Sequence, residues 1–302
     1  MELRETVQAD VVQTGTHLSR SAISTARRQT WQGMRAVVVF LLVAAVAVFF
    51  LAPFVWMISS SLKNFKEAFS DTPTWLPRQW EWANYPKALT FIPFFLYMRN
   101  SLIVCAGTVI GTVFSSSLTA YALSRIDWWG RRPLFLIVLM TMMLPYQVIM
   151  IPLFVIFRTL GWVGTYLPLI APAFFGNAFF IFLIRQFFMT IPEDLLDAAR
   201  IDGASDWRIF WSIMLPLSRA IMAAVAVFTF LFTWNDFLGP LIYLTKDKMW
   251  TLALGLRGFQ SQHGMQWEML MAASVVFTLP VVLIYIFAQR WLMQGIVTTG
   301  YR

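Results

Sequence analysis

Six long apolar runs constrain what this chain can fold into. They fall at about 36–58, 100–123, 134–157, 166–184, 217–241 and 269–289. Each is near the roughly 20 residues a helix needs to cross a hydrocarbon layer about 30 Å thick. In lipid every backbone N–H and C=O must be satisfied within the protein, which leaves helices and closed barrels. A barrel would alternate apolar and polar residues in stretches of about ten, whereas these runs are continuous. The expected fold is an all-α membrane protein with six transmembrane helices in residues 36–302. Residues 1–35, with Arg4, Arg20, Arg27, Arg28 and Arg35, are expected to be a disordered or surface-lying cytoplasmic arm. The first apolar run follows that arm and exceeds the roughly 7–15 residues of a signal-peptide core, so it is expected to be a retained span.

Charge and composition narrow the functions. The net charge is +8, but the basic residues are scattered at the ends of apolar runs and form no aromatic-interleaved stripe. Membrane lipid, not nucleic acid, is the expected partner of those charges. With the N-terminus in the cytoplasm, the larger share of the 23 Lys and Arg residues falls on that side, as the positive-inside rule requires. Six spans then put both termini in the cytoplasm, and "RIDWWGRR" at 125–132 becomes an inner-leaflet anchor. Segments 59–99 and 242–268 become the long external loops. The single Cys105 and the distant His17 and His263 offer no disulfide framework and no metal-ligand spacing. Nor is there a phosphate-binding loop or a nucleophile with a base. The chain is therefore not expected to be an enzyme, to carry a catalytic residue, or to bind a cofactor or metal.

Two further patterns concern the spans. Gly107, Gly111, Ser115 and Thr119 are spaced four apart, which lets a second helix approach the second span closely. Pro145, Pro152, Pro168, Pro172 and Pro280 lie inside other spans, where broken or kinked helices are tolerated if buried in protein. Intramembrane ionisable residues are few, which disfavours an ion-coupled secondary carrier. Asn100, Trp234, Asn235 and Asp236 are the candidates for a translocation path or its rim. Counted from Leu217, Asp236 lies roughly 28 Å along its helix, near the outer edge of the core, where an ion pair with Arg99 is within reach.

The middle of the chain carries a polar insert, about 185–216. Pro192 suits the start of a helix, Glu193 and Asp194 suit its positive end, and Gly203 can end it in a left-handed conformation. Leu195, Ala198 and Ala199 share one slim side. Ser205 can cap a second helix, in which Trp207, Phe210, Trp211 and Met214 form an apolar stripe leading through Pro216 into the fifth span. Such an element could carry a partner's motion into the bundle, or simply connect two spans.

"DAARIDGAS" followed by "IMLP" resembles the cytoplasmic EAA loop of ATP-binding-cassette importer permeases. The motif positions are Asp197, Ala198, Ala199, Asp202, Gly203, Ala204, Ile213, Leu215 and Pro216. "NSLIV" at 100, "AYALSRIDWWGRR" at 120, "LPYQVIMIPLF" at 144 and "WNDFLGPL" at 234 resemble the second permease subunit of carbohydrate importers of the maltose type. The resemblance implies an EAA coupling helix seated in a cleft of an ATPase dimer, which binds ATP and Mg. It also implies a second, homologous permease subunit, an extracytoplasmic solute-binding protein contacted by 242–268, and a prokaryotic inner-membrane location. The implied activity is binding-protein-dependent import of a sugar or oligosaccharide, with glycerol phosphate or another polar solute as the alternative cargo within the family. Two departures from the pattern are Asp197 in place of the usual glutamate and the tail "GIVTTGYR" ending in Arg302.

Overall fold

The structure is a computed structural model that describes residues 2–68, 70, 74–261 and 264–297. The chain divides into two compact units, 1–59 and 60–302. The first unit is built on α1 (Glu2–Ser61), a continuous helix of 60 residues with Pro53 inside it. Residues 2–35 are helical there, continuous with the first apolar run. They contain no proline, and without one nothing obliges the helix ladder to stop. From Val37 to Leu51 the large apolar side chains of α1 are exposed, as suits a face turned to lipid.

The second unit begins with the short α2 (Phe65–Ala68) and α3 (Asn84–Phe91), then α4 (Phe94–Ser124). Next come α5 (Arg131–Thr141) and α6 (Tyr146–Thr159), α7 (Leu167–Ile170), a 3-10 turn (Ala171–Phe175) and α8 (Ala178–Phe188). The polar insert holds α9 (Glu193–Ile201), α10 (Asp206–Ile209), a π turn (Phe210–Met214) and α11 (Leu215–Leu217). It leads into α12 (Arg219–Trp234) and α13 (Leu238–Tyr243). After α14 (Leu252–Gly255), the antiparallel strands β1 (Gln260–Ser261) and β2 (Gly264–Met265) precede α15 (Trp267–Val297). Four described helical segments are long and apolar enough to cross a bilayer: Gly33–Ser61, Phe94–Ser124, Leu167–Phe188 and Trp267–Arg290. Two bent pairs raise the number to six if each makes one crossing.

Three of the apolar runs are interrupted. The run at 134–157 is two helices, α5 and α6, meeting at 100°. Pro145 sits at the break with φ −66° and ψ 140°; it lacks the N–H a helix would use and drives the residue before it out of the α region. The run at 166–184 breaks at Gly176, whose φ of +89° is a left-handed conformation that favours glycine. The run at 217–241 starts after a 79° bend between Leu217 and Arg219 and breaks again between Trp234 and Leu238.

α4 is the hub of the second unit, packing against α12, α8, α14 and the 3-10 turn. Toward its N-terminus a core forms from Tyr97, Phe230, Trp234, Phe259, Ala272 and Ala273. Toward its C-terminus a second core gathers Tyr121, Ile184, Phe188, Leu196, Phe210 and Met214. The polar insert is built on this second core.

Candidate functional site

The insert is a helix, a glycine joint and a second helix. Pro192 precedes α9 in an extended conformation (ψ 139°), and Glu193 and Asp194 occupy its first turn. They complement the positive end of the helix. α9 ends in a Schellman motif: the Gly203 N–H donates to the Arg200 carbonyl at 3.0 Å and the Ala204 N–H to the Ala199 carbonyl at 2.9 Å. Gly203 has φ +79°, which the motif requires at that position. Ala199 and Ala204, one at each end of the motif, both pack on the second core. Ser205 then caps α10, its Oγ accepting the Arg208 N–H at 3.4 Å.

Burial separates the inner face of the insert from its outer face. Leu196, Ile209, Phe210 and Met214 are fully buried and join α9 and α10 to the core under α4. Leu196 seats α9, while Leu195 and Ala198 of the slim side face outward. One expectation is corrected: of the apolar stripe only Met214 and Phe210 go inside. Trp207 and Trp211 stay exposed beside it, their rings 6.0 and 5.4 Å from that of Phe210. The π turn inserts one residue into the helical register, so the side-chain sequence drifts from the simple i, i+3, i+4 stripe. Outside, Asp194, Asp197, Ala198, Ile201 and Asp202 face open space. Ile201 is 86% exposed, an apolar side chain at the tip of an acidic helix.

Polar contacts that sequence reasoning missed fix the insert to the end of α4. The Arg125 guanidinium donates to the Phe188 and Ile191 carbonyls and so ties the approach to α9. Burial lowers the pKa of Arg125, and the nearby Glu193 carboxylate opposes that shift. The Tyr121 hydroxyl donates to Asp206 Oδ1 at 3.3 Å. Arg200 joins three elements: it pairs with Asp197 at 2.8 Å and Asp206 at 3.8 Å, and donates to the Arg125 carbonyl at 3.4 Å. The Asp197 carboxylate is thus already engaged within its own helix. Leu215 and Pro216 lie in α11, immediately before the bend into α12.

Beside α4 lies the interrupted span. A Cβ at Gly107 would come within 2.8 Å of Ile170, and one at Gly111 within 2.7 Å of Phe174. The Ser115 Oγ donates to the Ala173 carbonyl at 2.8 Å, and the Ser116 Oγ accepts the Asn177 N–H at 3.2 Å. The strip of small residues therefore meets the 3-10 turn, where backbone groups lack helical partners.

The four path-or-rim candidates do not come together. Asn100 is buried, and its Nδ2 donates to the Lys248 and Trp250 carbonyls, each at 2.9 Å. It holds the loop after α13. Trp234 is fully buried, stacked between Phe230 and Phe277 at 5.4 Å, with Nε1 donating to the Phe277 carbonyl at 3.1 Å. Its place is the core, and the expectation of a rim residue is corrected: a large ring with one donor satisfies both needs inside the bundle. Asn235 is exposed, its amide donating to the Leu231 carbonyl at 2.8 Å. The Arg99–Asp236 ion pair is not formed among the described residues. Asp236 instead accepts the Gly239 N–H at 3.1 Å and lines a cavity of about 410 Å³ with Tyr146, Phe157 and Tyr243. Neither tyrosine was singled out from sequence, where each looks like an ordinary interfacial aromatic.

Comparison with known proteins bears on what this arrangement serves. The family model for the "binding-protein-dependent transport system inner membrane component" matches residues 107–298. The diacetylchitobiose uptake system permease protein NgcG of Streptomyces coelicolor is 35% identical over 276 residues, 90% of this chain and 89% of that protein. The sn-glycerol-3-phosphate transport system permease protein UgpE of Yersinia enterocolitica is 37% identical over 207 residues, 68% of this chain and 73% of that one. Among solved structures, a chain of a bacterial ABC transporter involved in the import of the acidic polysaccharide alginate superposes with a TM-score of 0.75. It covers 86% of this chain and 96% of its own length at 24% identity, a likeness of fold.

Proposed function

Because the chain belongs to the family of binding-protein-dependent transport system inner membrane components, we propose that it is the permease subunit of an ATP-driven importer for a sugar or oligosaccharide. The observation that carries the coupling role is the split character of the insert. One face, through Leu196, Phe210 and Met214, is rooted in the bundle, and the other presents Asp194, Ala198 and Ile201 outward. A partner that gripped the outer face would move the whole element. The motion would pass through α11 and the 79° bend into α12, because a packed core transmits displacement with little loss.

In this reading α9 enters a cleft of a cytoplasmic ATPase dimer, which binds ATP and Mg; this chain binds neither. Asp197, Ala198, Ala199, Asp202, Gly203, Ala204, Leu215 and Pro216 carry the coupling. Gly107, Gly111 and Ser115 let the interrupted span close on α4. A second permease subunit completes the pathway, a solute-binding protein docks on the outer surface that includes 242–268, and both termini lie in the cytoplasm. A saccharide cargo is favoured because the diacetylchitobiose permease matches nine-tenths of this chain. Glycerol phosphate is the second reading, supported by a relative that matches 68% of it.

The test is the complete importer reconstituted in vesicles. The wild type should take up a labelled saccharide from a panel that also contains glycerol 3-phosphate. Asp197→Ala and Gly203→Pro should insert and assemble, yet hydrolyse ATP without uptake. Normal substrate-stimulated ATPase activity with normal uptake in both variants would contradict the coupling role.

A further inference from the structure

The backbone breaks at Pro145 and after Trp234 meet the proline-bearing α7 region in one place. The cavity beside Asp236 takes Tyr146 from the first residue of α6, Pro168 and Pro172 from the α7 region, and Gly239 and Tyr243 from α13. Non-helical backbone at membrane depth is tolerated where it is buried or lines a cavity, and transporters build binding sites from such discontinuous helices. Its volume of about 410 Å³ suits a small molecule, and its wall is apolar with few polar groups, the usual composition of a small-molecule site.

Three of its groups matter chemically. The Tyr243 side chain is 3% exposed, and its hydroxyl makes no hydrogen bond to a described residue. A buried hydroxyl short of a partner is unfavourable, and a ligand oxygen accepting from it would relieve that. The Tyr146 hydroxyl and the Asp236 carboxylate are its polar neighbours in the cavity wall. The Asp236 carboxylate lies over Gly239, where a Cβ would come within 2.5 Å of Oδ2; only glycine leaves it that position. The Phe157 ring meets the Tyr243 ring edge to face at 5.4 Å, giving a flat apolar wall.

We propose that Tyr146, Tyr243 and Asp236 form a hydrogen-bonding subsite for the hydroxyl groups of a saccharide in this subunit's half of the pathway. The proposal rests on the reading of the chain as a sugar permease. The chemistry separates the candidate cargoes: two phenols and a carboxylate match the donors and acceptors of a neutral sugar, and an aromatic wall matches its CH face. A phosphate would meet the Asp236 carboxylate, and a bare cation would find too few oxygen ligands.

The experiment uses the assembled importer and the labelled saccharide that the wild type carries best from the panel. KM is measured for Tyr146→Phe, Tyr243→Phe and Asp236→Asn at equal amounts of assembled complex. Losing one hydrogen bond to the sugar should raise KM by about three- to tenfold in each, while the binding protein's own affinity stays unchanged. Phenylalanine keeps the ring packing; if Tyr243→Phe fails to assemble, the half-exposed Tyr146→Phe decides. Saccharide uptake with unaltered KM in the assembled variants would overturn the subsite and leave the sugar-permease reading standing. A wild type that carries glycerol 3-phosphate but no saccharide would overturn that reading and the subsite with it.

Discussion

α4 and α15 each run 31 residues without a break, whereas the backbone between Arg131 and Tyr243 is interrupted after Thr141, at Gly176, at Ser218 and after Trp234. The continuous helices satisfy their own backbone. The interrupted ones need help, and α4 gives part of it: Ser115 and Ser116 take up a carbonyl and an N–H from the 3-10 turn region, and Gly107 and Gly111 let it come close enough. One class of helix is scaffold; the other carries a cavity and a lever. The small residues of α4 are where the two meet.

Breaking the scaffold should have the largest effect. Trp234→Ala, in the core shared by α4, α12 and α15, should cost about 3–5 kcal/mol and lower the thermal midpoint of the solubilised complex sharply. Trp234→Phe, with most of that packing retained, should keep cargo preference unchanged; altered selectivity in uptake assays would return Trp234 to the pathway. The junction comes next. Gly111→Leu forces a side chain into Phe174 and should cost about 1–3 kcal/mol, visible as reduced yield of assembled complex. Ser115→Ala leaves the Ala173 carbonyl short of a partner and should cost about 1 kcal/mol, read as a smaller shift in the midpoint. Equal tolerance of Gly111→Leu and a substitution at the exposed Phe40 would show that the close approach to α4 is unimportant. Smallest of all, Arg200→Gln removes partly exposed ion pairs worth about 0–1 kcal/mol; stability should barely move, while uptake per ATP hydrolysed falls if Arg200 positions α9.

The sequence made the scaffold easy to read and the breaks hard. Continuous apolar runs and their length identify α4 and α15, because lipid leaves few alternatives. The same runs hide the interruption of the span at 166–184: hydropathy averages over the left-handed Gly176, and neither it nor the bend at Ser218 changes composition. Pro145 and Pro172 were visible, but a proline in a membrane helix does not say whether it kinks or divides the helix. In the insert, Gly203 and the Ser205 cap were legible because each is a local backbone requirement. The exposure of Trp207 and Trp211 is not, since helical spacing puts them on the same stripe as Phe210 and Met214. Arg125, Arg200 and Tyr121 escape for a different reason: each has a partner far away in sequence, at Phe188, Arg125 and Asp206 respectively. Polar groups near a membrane edge suggest a pathway, yet Trp234 and Asn100 each close a hydrogen bond inside the fold.

The claim on which the functional account depends is that the exposed tip of α9 enters the ATPase. Ile201 projects from that tip and Cys105, the chain's single cysteine, is buried. In a Cys105→Ala background, Ile201→Cys carrying a short photoreactive thiol cross-linker should form an adduct with the ATPase subunit in the assembled importer, and the adduct should block uptake. An assembled, transport-competent complex in which Ile201→Cys yields no ATPase adduct would contradict the account.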